Sequence, residues 1–417
     1  MIMKVGISFR PNDSLFYSGL NQTALLLAEL FSENVVLVTN QDAEWVADSY
    51  PKNVATSPLY QATDLDLLID IDGLLPADMR QRSMRSTGTI IVFLRTFLQF
   101  SEMDDSVYLE KAYTPRSFQG VKEVWCWDVL NPACTIPSIQ ALFPPIRRVP
   151  FIWSPSVTEH YAKMESKEDS KETIVHIAEK NRDNTSSSLL PLVAIRELSR
   201  MHSMKFMVHN MEVVKDNRFL QENVLNNIES SLLPLTLVPK EPFYQWKKGD
   251  ILFSHSRFVP LRIGLLHALW LGFPVIHNSP VLKELHPQLA DWFYQGNSVS
   301  GIVAAFEKLG TPCSEIRDAI MARFGIEAHR DAWNTIRKEI VGSVPTVHPM
   351  PCIRPTSRVP PSHISIAFSD MWPGFNPDSN FIMDALRQET ECTGIPYSVG
   401  CIASLLVLRI IDTGRQT

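Results

Sequence analysis

The chain has 417 residues, 45% hydrophobic and 20% charged, enough for two or three domains at roughly 150 residues each, which excludes a collagen, a disordered tail and a mini-protein. Lys and Arg number 39 against 45 Asp and Glu, a formal charge of -6, and no block of like charge is present to hold a nucleic acid or an anionic membrane, so any bound phosphate must be met locally. No apolar run reaches the ~20 residues that span a bilayer, Met1-Ile2-Met3-Lys4 has no signal-peptide layout, and Cys126, Cys134, Cys313, Cys352, Cys392 and Cys401 form no C-x-x-C; a soluble cytoplasmic protein without disulfide scaffold or zinc ribbon is expected.

Residues 2–9 read as a strand, followed by a polar loop at 10–18. Leu20, Ala24, Leu27 and Phe31 then recur every three or four residues, one face of a helix with Ser18 or Gly19 as its N-cap. Short runs rich in Val, Ile and Leu at 35–39, 65–71, 90–94 and 124–127 predict further strands. Unbroken apolar runs suit strands buried on both faces, hence a largely parallel sheet covered by helices. The segment 144–155, with prolines at both ends, reads as a crossing between domains.

A second alternating series starts at Thr173. Strands are predicted at 174–178, 205–209, 235–238, 251–254 and 274–277, and helices at 187–201, 218–228, 261–271, 302–309 and 314–340. Two such series joined by a short hinge predict an α/β chain of two facing doubly wound domains, 1–155 and 156–341, with a cleft between them. Residues 342–362 are Pro-rich and read as a linker. A new strand pattern opens at 363, but the rest of the chain is too short for another α/β domain, so 363–417 reads as the truncated start of a third.

No G-x-G-x-x-G follows either leading strand and no G-x-x-x-x-G-K-[ST] occurs, which removes a dinucleotide dehydrogenase and a P-loop NTPase. Asp64-Leu65-Asp66 and Asp70-Ile71-Asp72 are D-x-D pairs. Carboxylates two apart on a strand face the same way, the geometry for a divalent metal; the spacing equally suits solvated acids where a strand leaves the sheet. Asp70 and Asp72 fall at the expected carboxyl end of a strand, where α/β sheets place ligands.

The densest polar cluster runs from Ser254 to Ser279, SHSRFVPLRIGLLHALWLGFPVIHNS. One strand end delivers His255 and Arg257, the next helix turns its amides to the same edge, and Arg257 or Arg262 matches phosphate oxygens in a fork. The following strand ends at His277-Asn278-Ser279. Singly, such histidines serve structure as readily as catalysis; their placement at adjacent strand ends favours a site. His267, inside the helix, reads as packing. Glu179, Asn181 and Arg182 follow the first strand of the second series and His209-Asn210 follow the next, all toward the same edge. Trp125, Trp127 and Trp153 read as core or interdomain packing.

The order GISF, GLNQTALLLAELF, EVW, VPFIWSP, FSHSR and ALWLGFPVIHNSP resembles the DUF2827 family of bacterial proteins, which sits among the GT-B-type glycosyltransferases. The similarity runs from Val5 to about Ile340, most specifically through Gly272 to Pro280 (GFPVIHNSP). The positions that match are Gly19, Asn21, Glu179, Asn181, Ser254, His255, Gly272, Pro274, His277, Asn278 and Ser279. The resemblance implies nucleotide-sugar binding by the second domain and acceptor binding by the first. The carboxylate pair of many retaining GT-B enzymes is replaced here by Phe258 and His267. The tail 366–381, IAFSDMWPGFNPDSNF, resembles the opening of a GT10 α-1,3-fucosyltransferase domain, as in multi-domain glycosyltransferases of large algal and amoebal DNA viruses.

Together these readings predict a metal-independent glycosyltransferase that moves a sugar from a nucleoside diphosphate donor to a glycan or glycoconjugate, without a cofactor. His255 and Asp70 are the expected catalytic residues. Glu179, Asn181, Arg182, His209, Asn210, Arg257, Arg262, His277, Asn278 and Ser279 are expected on the nucleotide sugar, and Gly19, Asn21 and Asp72 on the acceptor. The expected partners are those two substrates and further glycosyltransferase domains, with no nucleic acid, membrane span or metal. The alternative is a catalytically inactive GT-B module that binds glycan or acts as a scaffold.

Overall fold

A computed structural model describes residues 3–10, 18–32, 34–40, 55–58, 62, 64–95, 118, 120–130, 144–162, 173–181, 186–201, 204–211, 216–225, 235–239, 243–257 and 259–342. The expected linker and fucosyltransferase-like tail lie outside the described residues, as do Arg182 and Phe258.

Seven strands of the first lobe, β1 (Val5–Ser8), β2 (Val35–Thr39), β3 (Ala55–Pro58), β4 (Leu67–Ile71), β5 (Ile90–Arg95), β6 (Val121–Trp127) and β7 (Ile146–Val149), form one sheet in the order β3-β2-β1-β4-β5-β6-β7. Every neighbouring pair is parallel. The central strands are largely apolar because both faces are covered: Val5, Ile7, Leu67, Ile69 and Val92 have no exposed surface. Helix α1 (Gly19–Phe31) is capped by Ser18, whose hydroxyl accepts from the Asn21 amide at 3.3 Å. Helix α2 (Ala77–Thr87) joins β4 to β5.

Strand β7 corrects the reading of 144–155 as a crossing throughout. Ile146–Val149 pairs with β6 and closes the first sheet, so the crossing is the stretch from Pro150 to Pro155. Beyond it lie α3 (Ser156–Ala162), β8 (Ile174–Ile177), α4 (Leu189–Met201), β9 (Lys205–His209), β10 (Leu235–Val238), β11 (Ile251–Phe253), α5 (Ile263–Trp270) and β12 (Val275–Ile276). These five strands form a second parallel sheet, ordered β10-β9-β8-β11-β12. The helix expected at 218–228 is a short turn, Arg218–Leu220, that widens over Gln221–Leu225.

Helices α6 (Pro280–Leu285), α7 (Pro287–Asp291), α8 (Val299–Glu307), α9 (Glu315–Phe324) and α10 (Ile326–Gly342) complete the described chain. The single helix expected over 314–340 is broken at Gly325, where a Cβ would lie 2.3 Å from the Met321 carbonyl oxygen. The break lets α10 return to the first lobe, where it packs on α1. Trp333 is fully buried, its ring meeting Trp125 at 5.6 Å and Phe31 and Trp127 at 6.0 Å, and its Nε1 donates to Pro150 O at 3.1 Å. With Ile326 and Ile340, also buried, Trp333 forms the face by which the helix packs on the first lobe. Lys122 Nζ donates to Ile340 O at 2.8 Å and Arg147 pairs with Glu339 at 2.6 Å, fastening the far end of the helix.

Candidate functional site

Strands β8, β9, β11 and β12 end together at the carboxyl edge of the second sheet, and each end delivers polar side chains there. Glu179, two residues past β8, is 1% exposed. Its Oε1 accepts from Ser254 Oγ at 3.0 Å and from the His255 amide at 2.9 Å, both just past β11. Its Oε2 accepts from Ser186 Oγ at 2.5 Å and from Arg262 Nη1. A buried carboxylate is tolerated where its oxygens are met by donors and a cation, and Glu179 has both. Arg262 is the N-cap of α5, and no side chain caps that helix. The edge therefore joins a guanidinium to the positive end of a helix dipole.

His255 is 3% exposed, and its Nδ1 lies 2.9 Å from the hydroxyl of Tyr294. That hydroxyl donates to Ser254 O at 2.9 Å. Burial pushes the His255 imidazole below its ordinary range, and the Arg257 charge adds to this while Glu179 opposes it. Burial, reinforced by Glu179, pushes the Tyr294 phenol well above its ordinary value, so it keeps its proton. Arg257 is exposed at the same loop.

Most other expected ligand residues serve the backbone. Asn181 and Asn210 are both left-handed, with φ of 54° and 58°, a conformation asparagine tolerates. Asn181 Oδ1 accepts from the Ser188 amide at 2.8 Å and its Nδ2 donates to Ser188 Oγ at 3.0 Å; Asn210 Nδ2 donates to Glu179 O at 2.7 Å. Asn278 closes a two-way tie with Ser256, accepting from its amide at 3.0 Å and donating to its carbonyl at 2.7 Å. Ser279 caps α6 through the Leu282 amide at 3.2 Å and donates to Pro260 O.

Two histidines expected on the nucleotide sugar, His277 and His209, lie in the interior. His277 Nε2 donates to Leu289 O at 3.0 Å while its Nδ1 accepts from the Ser279 amide at 3.2 Å; burial lowers its pKa to about 4. His209 has no exposed surface. It contacts His176 Nδ1 at 3.0 Å and Pro239 O at 3.2 Å, while His176 Nε2 lies 3.2 Å from Asp250 and its ring stacks on Trp246 at 3.8 Å. The two histidines and Asp250 are thus a buried polar chain beneath the edge. His267 packs as expected, between Thr158 and Gln22 and against Trp153, and burial lowers its pKa to about 3.

In the first lobe Asp70 is interior as well. It is fully buried and paired to Arg80 Nη1 at 2.6 Å, and it accepts from the Leu75 amide at 3.3 Å. Burial raises its pKa although Arg80 pulls the other way. Asn21 accepts from the Arg10 amide at 3.1 Å and donates to Arg10 O at 2.8 Å, closing the loop before α1. Asp64 and Asp66 precede β4, at the opposite edge, and both hold Lys4. Gly19 is exposed at the start of α1, and Asp72 lies just past β4 with its amide donating to Leu94 O at 2.9 Å.

At this edge Arg257 is exposed, Arg262 is partly exposed in its pair with Glu179, and His255 is buried against Tyr294, all beside the uncapped start of α5. Sequence reasoning missed Tyr294, because its partners lie 39 and 40 residues away and no spacing links them. Among the described residues no three His, Cys, Asp or Glu side chains converge as metal ligands, and no helix is long and apolar enough to cross a membrane.

The sequence profile of DUF2827, described as a protein of unknown function, matches residues 5–306. No curated protein matches the chain. Among solved structures, a glycosyltransferase from Rickettsia africae ESF-5 is 11% identical with a TM-score of 0.50, over 82% of this chain and all (100%) of that one. Sucrose-phosphate synthase from Thermosynechococcus elongatus is 10% identical with a TM-score of 0.55, over 82% and 100%. The shared architecture is the GT-B fold, two parallel sheets each covered by helices.

Proposed function

From a chain that belongs to the DUF2827 family and carries the GT-B fold, we propose a glycosyltransferase that moves a sugar from a nucleoside diphosphate donor to a glycan or glycoconjugate hydroxyl. The observation that carries this reading is the conjunction of Arg262, His255 and the uncapped N-terminus of α5 at one sheet edge. The helix end and the two arginines supply positive potential for a leaving diphosphate without a metal. His255 supplies an imidazole there, held through Nδ1 by the Tyr294 hydroxyl. The first lobe, with Gly19 and Asp72 near its own carboxyl edge, takes the acceptor.

One observation favours a second reading, a glycan-binding module without transfer. His267, standing where retaining enzymes carry a carboxylate, is sealed between Thr158 and Gln22. Thermal-shift titration with UDP, GDP, ADP and CMP sugars in EDTA tests donor binding. Stabilisation by one of them without metal is expected, weakened by about 1.5–3 kcal/mol for Arg257→Ala and for Arg262→Ala. Release of free nucleotide on adding glycan acceptors then separates transfer from binding alone. Strict manganese dependence abolished by Asp70→Asn would sink the metal-free reading.

A further inference from the structure

The donor and acceptor count around Tyr294 constrains the chemistry of His255. The phenol has one proton, and its hydroxyl lies 2.9 Å from Ser254 O, a carbonyl that can only accept. That proton is therefore committed to Ser254. The same oxygen lies 2.9 Å from His255 Nδ1 and is left with lone pairs, so the contact closes as a hydrogen bond when Nδ1 carries the hydrogen. In a neutral imidazole the other nitrogen is then an acceptor, because the bond made by one ring nitrogen decides the state of the other. Among the described residues nothing bonds His255 Nε2, and the residue as a whole is 3% exposed. The Glu179 carboxylate does not reach this nitrogen: it takes the backbone amide of His255 instead.

We propose that Tyr294 is a positioning residue that holds His255 as the Nδ1–H tautomer, so that an unprotonated Nε2 faces the carboxyl edge as proton acceptor for the attacking hydroxyl. This rests on the glycosyl-transfer reading above and adds the step to it. The acceptor oxygen forms a bond to the anomeric carbon as the bond from that carbon to the phosphate oxygen breaks. The electron pair leaves with the nucleoside diphosphate toward Arg262 and the start of α5. The hydroxyl proton passes to His255 Nε2, and the imidazolium keeps its Nδ1–H on the Tyr294 oxygen until it returns the proton to solvent. A single displacement of this kind inverts the anomeric configuration, consistent with the absence of a carboxylate at His267.

The position of the burial fits the role. Tyr294 is 1% exposed, and its amide donates to His277 O at 3.0 Å, so the phenol is held by the backbone next to β12 rather than by a surface loop. The low affinity of the buried imidazole for a second proton keeps Nε2 free at neutral pH.

The test is two-bond nitrogen–proton correlation spectroscopy on the full chain labelled with 15N-histidine, at pH 7.5, with His255→Gln used to assign the signal. The expected spectrum shows His255 protonated on Nδ1 and bare on Nε2, and Tyr294→Phe switches it to Nε2–H. An Nε2–H pattern in the parent protein overturns the proposal, and so does an Nδ1–H pattern that survives in a folded Tyr294→Phe. Should that variant fail to fold, Ser254 stays paired in the parent protein and its spectrum alone decides. Adding UDP or GDP to the same sample separates the two layers. A shifted His255 signal supports the base role, whereas binding of neither nucleotide overturns that role and the donor reading together while the tautomer stands.

Discussion

Ser254 and Glu179, 75 residues apart, meet in a 3.0 Å hydrogen bond that ties the end of β11 to the end of β8. The two strands already pair through Ile251–Val175 and Leu252–His176, so the bond extends the sheet's order two to three residues beyond its last ladder contact. The same carboxylate takes the Arg262 guanidinium and thereby sets the direction from which α5 leaves. One buried anion therefore organises three loops and the helix start.

Glu179→Gln is expected to destabilise the protein by about 3–5 kcal/mol, since it leaves the Arg262 charge without its partner in a largely desolvated place. Urea unfolding at pH 7.5 measures it. A loss of less than about 1 kcal/mol would mean that the carboxylate's donors are satisfied without it.

In the first lobe, Arg80→Met should cost a similar ~3–5 kcal/mol, because Asp70 is left buried and unpaired. Adding Asp70→Asn should recover much of this, since two neutral groups need less solvation than one stranded charge. The double-mutant cycle by chemical denaturation checks it. A double variant as unstable as the sum of the single ones would contradict the pairing.

Stability should fall on mild acidification. Unfolded histidine titrates near 6.5, whereas burial holds folded His267 down to about 3 and His277 to about 4. The unfolded chain thus binds more protons below pH 6.5. The contribution of these two groups is complete above that value and is lost as pH drops toward 4, by up to about 1.4 kcal/mol per pH unit for each. Urea midpoints at pH 7.5, 6.0 and 5.0 report the slope, and His267→Gln should remove one histidine's share.

Gly325→Ala places a methyl group against the Met321 carbonyl and should cost about 1–3 kcal/mol, as overpacked sites do. Gly342→Ala, with nothing within 4 Å of the added carbon, is the control and should stay within about 0.5 kcal/mol. Melting temperatures of the two variants make the comparison.

How much of this was legible in the sequence differs between fold and site. The strands at β1, β2, β5, β8 and β9 were readable because parallel strands buried on both faces are unbroken apolar runs. Strand β7 was hidden by Arg147 and Arg148, and the division between α9 and α10 by a single glycine. The polar residues of the GFPVIHNSP stretch were visible as a cluster but not in their role. A histidine that caps a loop and one that meets a substrate have the same letter and the same place after a strand.

The linear chain by itself determined the class of the protein: two parallel α/β lobes, the carboxyl edge of the second as the polar one, and the exclusion of dinucleotide and P-loop chemistry. Those follow from local periodicity and short-range spacing, which survive in one dimension. Only the tertiary structure decided how the side chains at that edge are paired. Whether a hydrogen bond is made depends on atoms brought together from 39 to 83 residues away, as in His255–Tyr294 and Glu179–Arg262. That convergence turned His277, His209 and Asp70 inward, paired Arg262 with Glu179, and set His255 against Tyr294, which no spacing in the sequence announces.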